Sequence, residues 1–215
     1  MEKNKIVILI PSFNELKNLK TICKFLKKNR LHFIVLDDNS KDGSNLWLKK
    51  NNMRFIRNNI NLGYESNLNK GISFVLKKKK YDFLITFDGD GEHKLFDIIR
   101  VIKFIKKNDF DILICNRQKL NRWSEYLLSF FYSLFFNLKD PLSGFKVYKI
   151  SKLRKFEKKI SSNLFLVDII NYFIKNKQKI KNFKIQTNVK YSSKIGHGFK
   201  IHTKIIQILF YSIIN

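Results

Sequence analysis

The sequence contains no alanine, while lysine, asparagine, isoleucine and phenylalanine abound. An AT-rich coding bias gives that profile whatever a protein does, so the lysine surplus does not by itself identify a partner. Acidic residues are scarce: 17 Asp and Glu stand against 43 Lys and Arg, a formal charge of +26. Such an imbalance favours polyanionic partners, whether nucleic acid, anionic lipid or phosphate-bearing substrates. Cysteine is limited to Cys23 and Cys115, with no CxxC spacing. That excludes a disulfide framework and reads as two small core residues in a reducing compartment. No apolar run approaches the roughly 20 residues of a membrane span. The first such run, Ile6–Ile10, is too short for a signal peptide and meets Pro11 at once, so the cytosol is the default compartment. No GxGxxG follows that run and no GxxxxGK[ST] occurs anywhere, which disfavours a dehydrogenase or a P-loop ATPase.

What is present is a strand–turn–helix unit that repeats. Ile6-Val7-Ile8-Leu9-Ile10 ends in Pro11-Ser12-Phe13-Asn14-Glu15, after which Leu16, Leu19, Ile22, Cys23 and Leu26 mark a helix face. Phe33–Leu36 ends in Asp37-Asp38-Asn39-Ser40-Lys41-Asp42-Gly43-Ser44, again before an apolar-bearing segment, Leu46–Leu48. A short strand near Met53–Ile56 leads to Asn61-Leu62-Gly63 and a helix with Tyr64, Leu68, Ile72 and Val75 on one side. Phe83–Thr86 and Ile112–Cys115 are further strands, separated by a helix face of Leu95, Ile98, Ile102 and Ile105. At 215 residues the chain fits one domain with a substantial core. The alternation predicts an α/β fold, a mostly parallel central sheet with helices on both faces, and ligands outside the carboxyl ends of the strands.

The strand at Phe83 runs into Phe87-Asp88-Gly89-Asp90-Gly91-Glu92-His93. Bends at the two glycines let Asp88, Asp90 and Glu92 converge on one hard divalent cation, leaving positions for phosphate oxygens and water. Taken alone, the segment is equally a polar turn whose Asp and Gly serve only the bend. Asn14, Glu15, Asp37, Asp38, Asp88 and Asp90 all fall at the same predicted sheet edge although far apart in sequence. Carboxylates at the first two strand ends can hydrogen-bond a nucleotide's base and ribose while a metal held by the acidic segment neutralises its diphosphate, a layout that fits a sugar nucleotide.

In order, the turns after the first two strands, Asn61-Leu62-Gly63, the acidic segment and Asp140-Pro141-Leu142-Ser143-Gly144-Phe145-Lys146 resemble the motifs of family 2 glycosyltransferases, in particular the dolichyl- or polyprenyl-phosphate sugar synthases. The resemblance extends from about residue 6 to residue 200. It implies a single GT-A (Rossmann-like) domain, a UDP- or GDP-linked sugar donor, Mg²⁺ or Mn²⁺, and inversion at the anomeric carbon. It places Pro11, Phe13, Asn14, Glu15, Asp37, Asp38, Lys70 and Asp88 around the donor nucleotide, and Asp88, Asp90 and Glu92 at the metal. Arg117 resembles the arginine of the family's Gly-x-Arg position, and a guanidinium at a strand end can fork onto phosphate oxygens. Arg117, Arg122, Lys146, Lys194, His197 and Lys200 are the candidates for binding acceptor or phosphate, and Asp90, Asp140 and Arg117 for catalysis. Residues 1–115 then form the donor and metal half, 116–200 the acceptor half, and 201–215 a C-terminal amphipathic helix.

The acceptor is the open question. The segment from Arg122 to Leu138 is dense in Leu, Phe and Tyr. It reads either as a surface-lying helix beside a lipid phosphate or as a helix buried on the sheet. A hydroxyl acceptor needs a base, for which Asp140 is the candidate, whereas a phosphate monoester is already anionic near neutral pH, with a second pKa of about 6. Asp140 is equally a turn residue, and Lys70 equally a solvated helix lysine. The reading is therefore an inverting, metal-dependent transferase acting on a polyprenyl phosphate at the cytoplasmic face of a membrane, with no nucleic-acid partner. The alternatives are transfer to a sugar hydroxyl and a basic nucleic-acid-binding module; the latter leaves the strand-end carboxylates unexplained.

Overall fold

A computed structural model describes residues 5–156, 165–188 and 199–214. The elements are β1 (Ile6–Ser12), α1 (Leu16–Lys28), β2 (Phe33–Asp37), α2 (Ser44–Lys50), β3 (Phe55–Arg57), α3 (Tyr64–Lys77), β4 (Phe83–Thr86), α4 (Leu95–Lys107), β5 (Ile112–Asn116), α5 (Trp123–Phe136), β6 (Lys146–Lys149), α6 (Ile150–Phe156), α7 (Phe165–Lys175), β7 (Ile180–Lys184) and α8 (Phe199–Ile214). The strands form one sheet in the order β3-β2-β1-β4-β6-β5-β7. Every neighbouring pair is parallel except the two that β6 makes, with β4 and with β5.

The unbroken apolar strands follow from burial on both sides. Along β1, Val7 and Leu9 join the core that includes Leu68 and Ile72 of α3 and Leu128 of α5, while Ile8 and Ile10 join the opposite core with Leu19 and Ile22 of α1 and Ile98 of α4. Successive side chains of a strand point to opposite faces, so a strand covered twice reads as a nearly continuous apolar run. Cys23 and Cys115 are buried free thiols in that second core, as expected of them.

The reversed strand β6 sets the site. Parallel strands deliver their carboxyl ends to one edge, but an antiparallel strand delivers its beginning. Thr86 at the end of β4 pairs with Lys146 at the start of β6, which also pairs with Ile114 of β5. The Asp140–Phe145 segment therefore enters at the same edge as Asp37, Asp88 and Asn116. Strand β7 stops at Lys184, and beyond it Thr187 forms an isolated bridge to His93. The short helix α6, starting directly from β6, had no cue in the apolar pattern.

Candidate active site

The turns after β1 and β2 are tied to each other before any ligand is considered. Asn14, at φ 54°, donates its backbone N–H to Ser40 Oγ (2.9 Å), and its side-chain Oδ1 accepts from the Lys41 N–H (2.8 Å). Asp42 caps α1 from across the gap, its Oδ2 accepting from the Leu16 N–H at 2.7 Å. Glu15 is buried and takes Asn18 Nδ2 at 2.9 Å, while Phe13 is exposed beside the turn. Asp37 and Asp38 divide their labour. Asp38 accepts from Asn58 Nδ2 and from the backbone N–H groups of Leu62 and Gly63, all at 2.8–2.9 Å, so it clamps the loop before α3. Among the described residues the Asp37 carboxylate accepts the Ser40 N–H at 3.0 Å, and its other oxygen faces Arg57 Nε at 3.5 Å. Lys70 donates to Asn58 Oδ1 at 2.7 Å, which ties its ammonium to the same loop.

In the acidic turn, Asp88 Oδ1 accepts from the Tyr64 hydroxyl (2.7 Å) and Oδ2 faces His93 Nε2 at 3.6 Å, an electrostatic contact longer than a hydrogen bond. Asp90 Oδ1 accepts the Glu92 N–H (2.9 Å), and the Asp90 carbonyl takes Asn18 Nδ2. Gly91 bends the chain at φ 83°, a conformation an L side chain resists. Glu92 reaches across to Asn121 Nδ2 (3.4 Å) and Arg117 (3.7 Å). The three carboxylates share one turn, Glu92 lying 3.7 Å from Arg117, and among the described residues no group of three His, Cys, Asp or Glu side chains is already closed round a single point.

Their protonation differs. Burial pushes the Asp90 carboxyl up, and the charges of Asp88 and Glu92 add to it, to about 6. Burial acts the same way on Asp88, but His93, Tyr64 and Lys146 together hold it below the usual carboxylate value. Burial opposes charge on His93, yet Asp88, then Glu92 and Asp90, hold it above an ordinary histidine. Gly144 sits directly on this carboxylate: a Cβ there would lie 1.9 Å from Asp88 Oδ2. Gly144→Ala must turn Asp88 away or shift the chain, and a misplacement of about 1 Å is expected to lower turnover roughly 100-fold. Initial rates across a metal titration check this; wild-type rates would show that the turn yields without moving Asp88.

The acceptor half is organised by one guanidinium. Arg117 Nε and Nη2 fork onto the two oxygens of Asp140 (2.9 and 3.0 Å), its N–H adds 3.1 Å to Oδ2, and Nη2 also reaches Glu125 Oε2 at 3.0 Å. Arg122 Nη1 holds the other oxygen of Glu125 at 2.5 Å. All four side chains are nearly sealed from water. Burial disfavours the Arg117 charge, but Asp140, Glu125 and Glu92 more than offset it and hold the group above its ordinary value. Lys146 is fully buried, its ammonium donating to the Ser143 carbonyl. Burial lowers it to about 8 against the pull of Asp140 and Asp88. Its position corrects the expectation of an acceptor-facing cation: β6 is central, covered on both faces, and Lys146 lies beneath the carboxylates. Lys194 and His197 lie outside the described residues, as does the side chain of Lys200 at the start of α8.

Sequence reasoning missed Tyr64, read only as part of an apolar face, and Glu125, whose spacing three residues after Arg122 was the available signal. It also gave no role to Arg57 or His93.

A mostly parallel α/β sheet with one reversed strand, its carboxyl edge lined by an acidic turn, is the architecture of a GT-A glycosyltransferase. Glucosyl-3-phosphoglycerate synthase from Mycobacterium tuberculosis, in complex with Mn²⁺, UDP-glucose and phosphoglyceric acid, superposes with a TM-score of 0.74 at 12% identity, over 97% of this chain and 79% of that one. The sequence profile of glycosyl transferase family 2 matches residues 7–122. An uncharacterized protein of Methanocaldococcus jannaschii is 30% identical over 168 residues, 69% of this chain and 73% of that protein. The UDP-N-acetylglucosamine–dolichyl-phosphate N-acetylglucosaminyltransferase of Methanococcus voltae is 26% identical over 136 residues, 55% of this chain and 54% of that protein. The chain belongs to glycosyl transferase family 2 and is a glycosyltransferase.

Proposed function

We propose that this enzyme moves a sugar, with inversion, from a nucleoside-diphosphate sugar to the phosphate of a polyprenyl-type lipid at a membrane surface. The observation that carries the choice of acceptor is the commitment of Asp140. A hydroxyl acceptor must lose a proton as it attacks, and the base must present a lone pair to it, whereas the Asp140 carboxylate is buried and turned to Arg117. Both oxygens of Asp140 are held by Arg117. A phosphate acceptor needs no base; it needs a positioned cation, for which Arg117, held by Asp140 and Glu125 with Nη1 3.7 Å from Glu92, is the candidate. The dolichyl-phosphate acceptor in the name of the Methanococcus voltae relative agrees with this.

On the donor side, Asp37 and the Pro11–Glu15 turn offer groups to the nucleoside, with Asp38 and Lys70 holding the wall behind it. The residues at Asp88 and Asp90 fit a divalent cation: Asp90 is pressed between like charges, and its carboxylate accepts one backbone N–H. Mg²⁺ or Mn²⁺ bound there supplies charge to the leaving diphosphate. Asp88, steadied by Tyr64 and His93, and Asp90 would hold it; Arg117 would orient the attacking oxygen in line with the sugar's C1.

Calorimetric titration with UDP-, GDP- and dTDP-sugars, with and without Mn²⁺, should give metal-dependent binding of one nucleotide class. Transfer of its sugar to a polyprenyl phosphate, with none to free sugar hydroxyls, is the expected second result. Transfer to a hydroxyl acceptor that disappears in Asp140→Asn would overturn the phosphate reading in favour of a base at Asp140.

A further inference from the structure

Helix α5 leaves one side uncovered. Its Ser124, Glu125, Leu128 and Tyr132 face inward, while Trp123, Tyr126, Leu127, Phe130, Leu134 and Phe135 are 45–67% exposed. Residues 123, 127, 130 and 134 recur at the three- and four-residue spacing of one helical stripe. A packed helix of a soluble domain does not carry six large apolar side chains into water without a use for them. Helix α8 widens the face. It runs alongside α5 in the same direction, with Ser124 Oγ on His202 Nδ1 (2.8 Å) at one end and the Tyr132 hydroxyl on Ser212 Oγ (2.7 Å) at the other. Phe210 and Tyr211 of α8 are exposed at that second end. Trp123 stacks flat on His202, ring centroids 5.0 Å apart, and keeps its outer side open.

Charge decides what covers this face. The two helices contain one carboxylate between them, Glu125, and it is buried under Arg117 and Arg122. Exposed Lys119 and Lys139 flank α5 at its two ends, while Lys204 of α8 is turned to Glu65 at 3.8 Å. A second copy would bring two chains of +26 together at this face, against their mutual repulsion. An anionic bilayer meets both features, taking the aromatic stripe among its acyl chains and the lysines among its headgroups. No helix among the described residues is long and apolar enough to cross a membrane, so the helices would lie in the interface.

We infer that the α5–α8 face is a monotopic docking surface for anionic lipid, with Trp123, Leu127, Phe130 and Leu134 as the inserted stripe. The stripe starts one residue after Arg122, whose partner Glu125 also holds Arg117, so a lipid phosphate at the site would have its chain leading along α5 into the bilayer. For that acceptor route the inference rests on the lipid-phosphate reading, but its test needs no turnover.

The full chain is sedimented with phosphatidylcholine vesicles with and without phosphatidylglycerol. Binding only when phosphatidylglycerol is present is expected, and a fall of at least about tenfold in partitioning for Phe130→Asp/Leu134→Asp, since each buried side chain contributes to the anchoring. Nucleotide-sugar binding, measured on the same samples, should be unchanged in the variant, which shows that it is folded. In a Trp47→Phe background the remaining indole, Trp123, should shift its emission to the blue when vesicles are added. Wild-type protein that stays in the supernatant, or a double variant that binds as well as wild type through its lysines alone, would overturn the inference. So would a wild-type dimer that the double variant converts to monomer. Vesicle binding with no transfer to lipid phosphate would instead leave the surface standing and remove the acceptor assignment.

Discussion

Arg117→Ala is expected to destabilise the fold by about 3–5 kcal/mol, the usual consequence of removing one partner from a buried ion pair. The loss comes less from the missing attraction than from what stays behind. Asp140 loses its forked partner, Glu125 loses one of two, and Glu92 its long-range counter-charge, all in a region nearly closed to water. For a domain of this size that corresponds to a fall of roughly 6–20 °C in thermal midpoint, measurable by urea and thermal unfolding. Arg117→Lys should recover only part of it, because an ammonium cannot hold both Asp140 oxygens in a fork. The double variant Arg117→Met/Asp140→Leu should be more stable than Arg117→Ala, since it removes the orphaned carboxylate with its partner. It should be as inactive as Arg117→Ala, because the acceptor then has no cation to meet. A single-variant loss below about 1 kcal/mol would mean that water reaches Asp140 and that the network is not closed.

That network also marks the limit of what the sequence could tell. The strands were legible because Ile6–Ile10, Phe33–Leu36, Phe83–Thr86 and Ile112–Cys115 are apolar on both faces, a pattern few structures other than a covered parallel sheet explain. Their carboxyl ends were legible because turn-forming Asn, Asp and Gly follow each one, and the order of those turns carried the family resemblance. What remained hidden was the direction in which each polar side chain points. Asp37 and Asp38 are adjacent and look interchangeable, yet Asp38 clamps backbone more than 20 residues away while Asp37 holds its own turn through the Ser40 N–H beside Arg57. Asp140 and Arg117 are 23 residues apart and belong to segments that meet only because β6 is reversed. Lys146 reads as an acceptor-binding cation, but it stands in a strand with a sheet neighbour on each side and is fully buried. The stripe on α5 was visible as apolar density, and only the packing of Leu128 and Tyr132 inward decided which half of that density faces water.

Asp90→Asn should give a protein that is more stable and nearly dead. The Asp90 carboxyl is raised to about 6 by burial and by the charges of Asp88 and Glu92. A raised acid reverses the usual sign: between its unfolded value near 4 and about 6 the native state holds more protons than the unfolded chain, so stability falls as pH rises through that window. The penalty is complete above about pH 6 and absent below about pH 4, and at one pKa unit per 1.36 kcal/mol it amounts to at most about 3 kcal/mol. Asparagine never carries the charge, so the variant should exceed wild type by about 1–3 kcal/mol near pH 8 and by nothing near pH 4. Urea unfolding at the two pH values reads this directly. Mn²⁺ should raise the wild-type midpoint at neutral pH and leave the variant's almost unmoved, because binding to the native state alone stabilises it. Turnover in the variant should fall by about 10³-fold or more, the scale on which electrostatic stabilisation of a transition state is lost. On the proposed reading the strain at Asp90 and the catalysis are one property: the like charges of Asp88, Asp90 and Glu92 are what a bound cation would neutralise. A variant no more stable than wild type near pH 8, or one that keeps its metal response, would place the cation elsewhere on the turn.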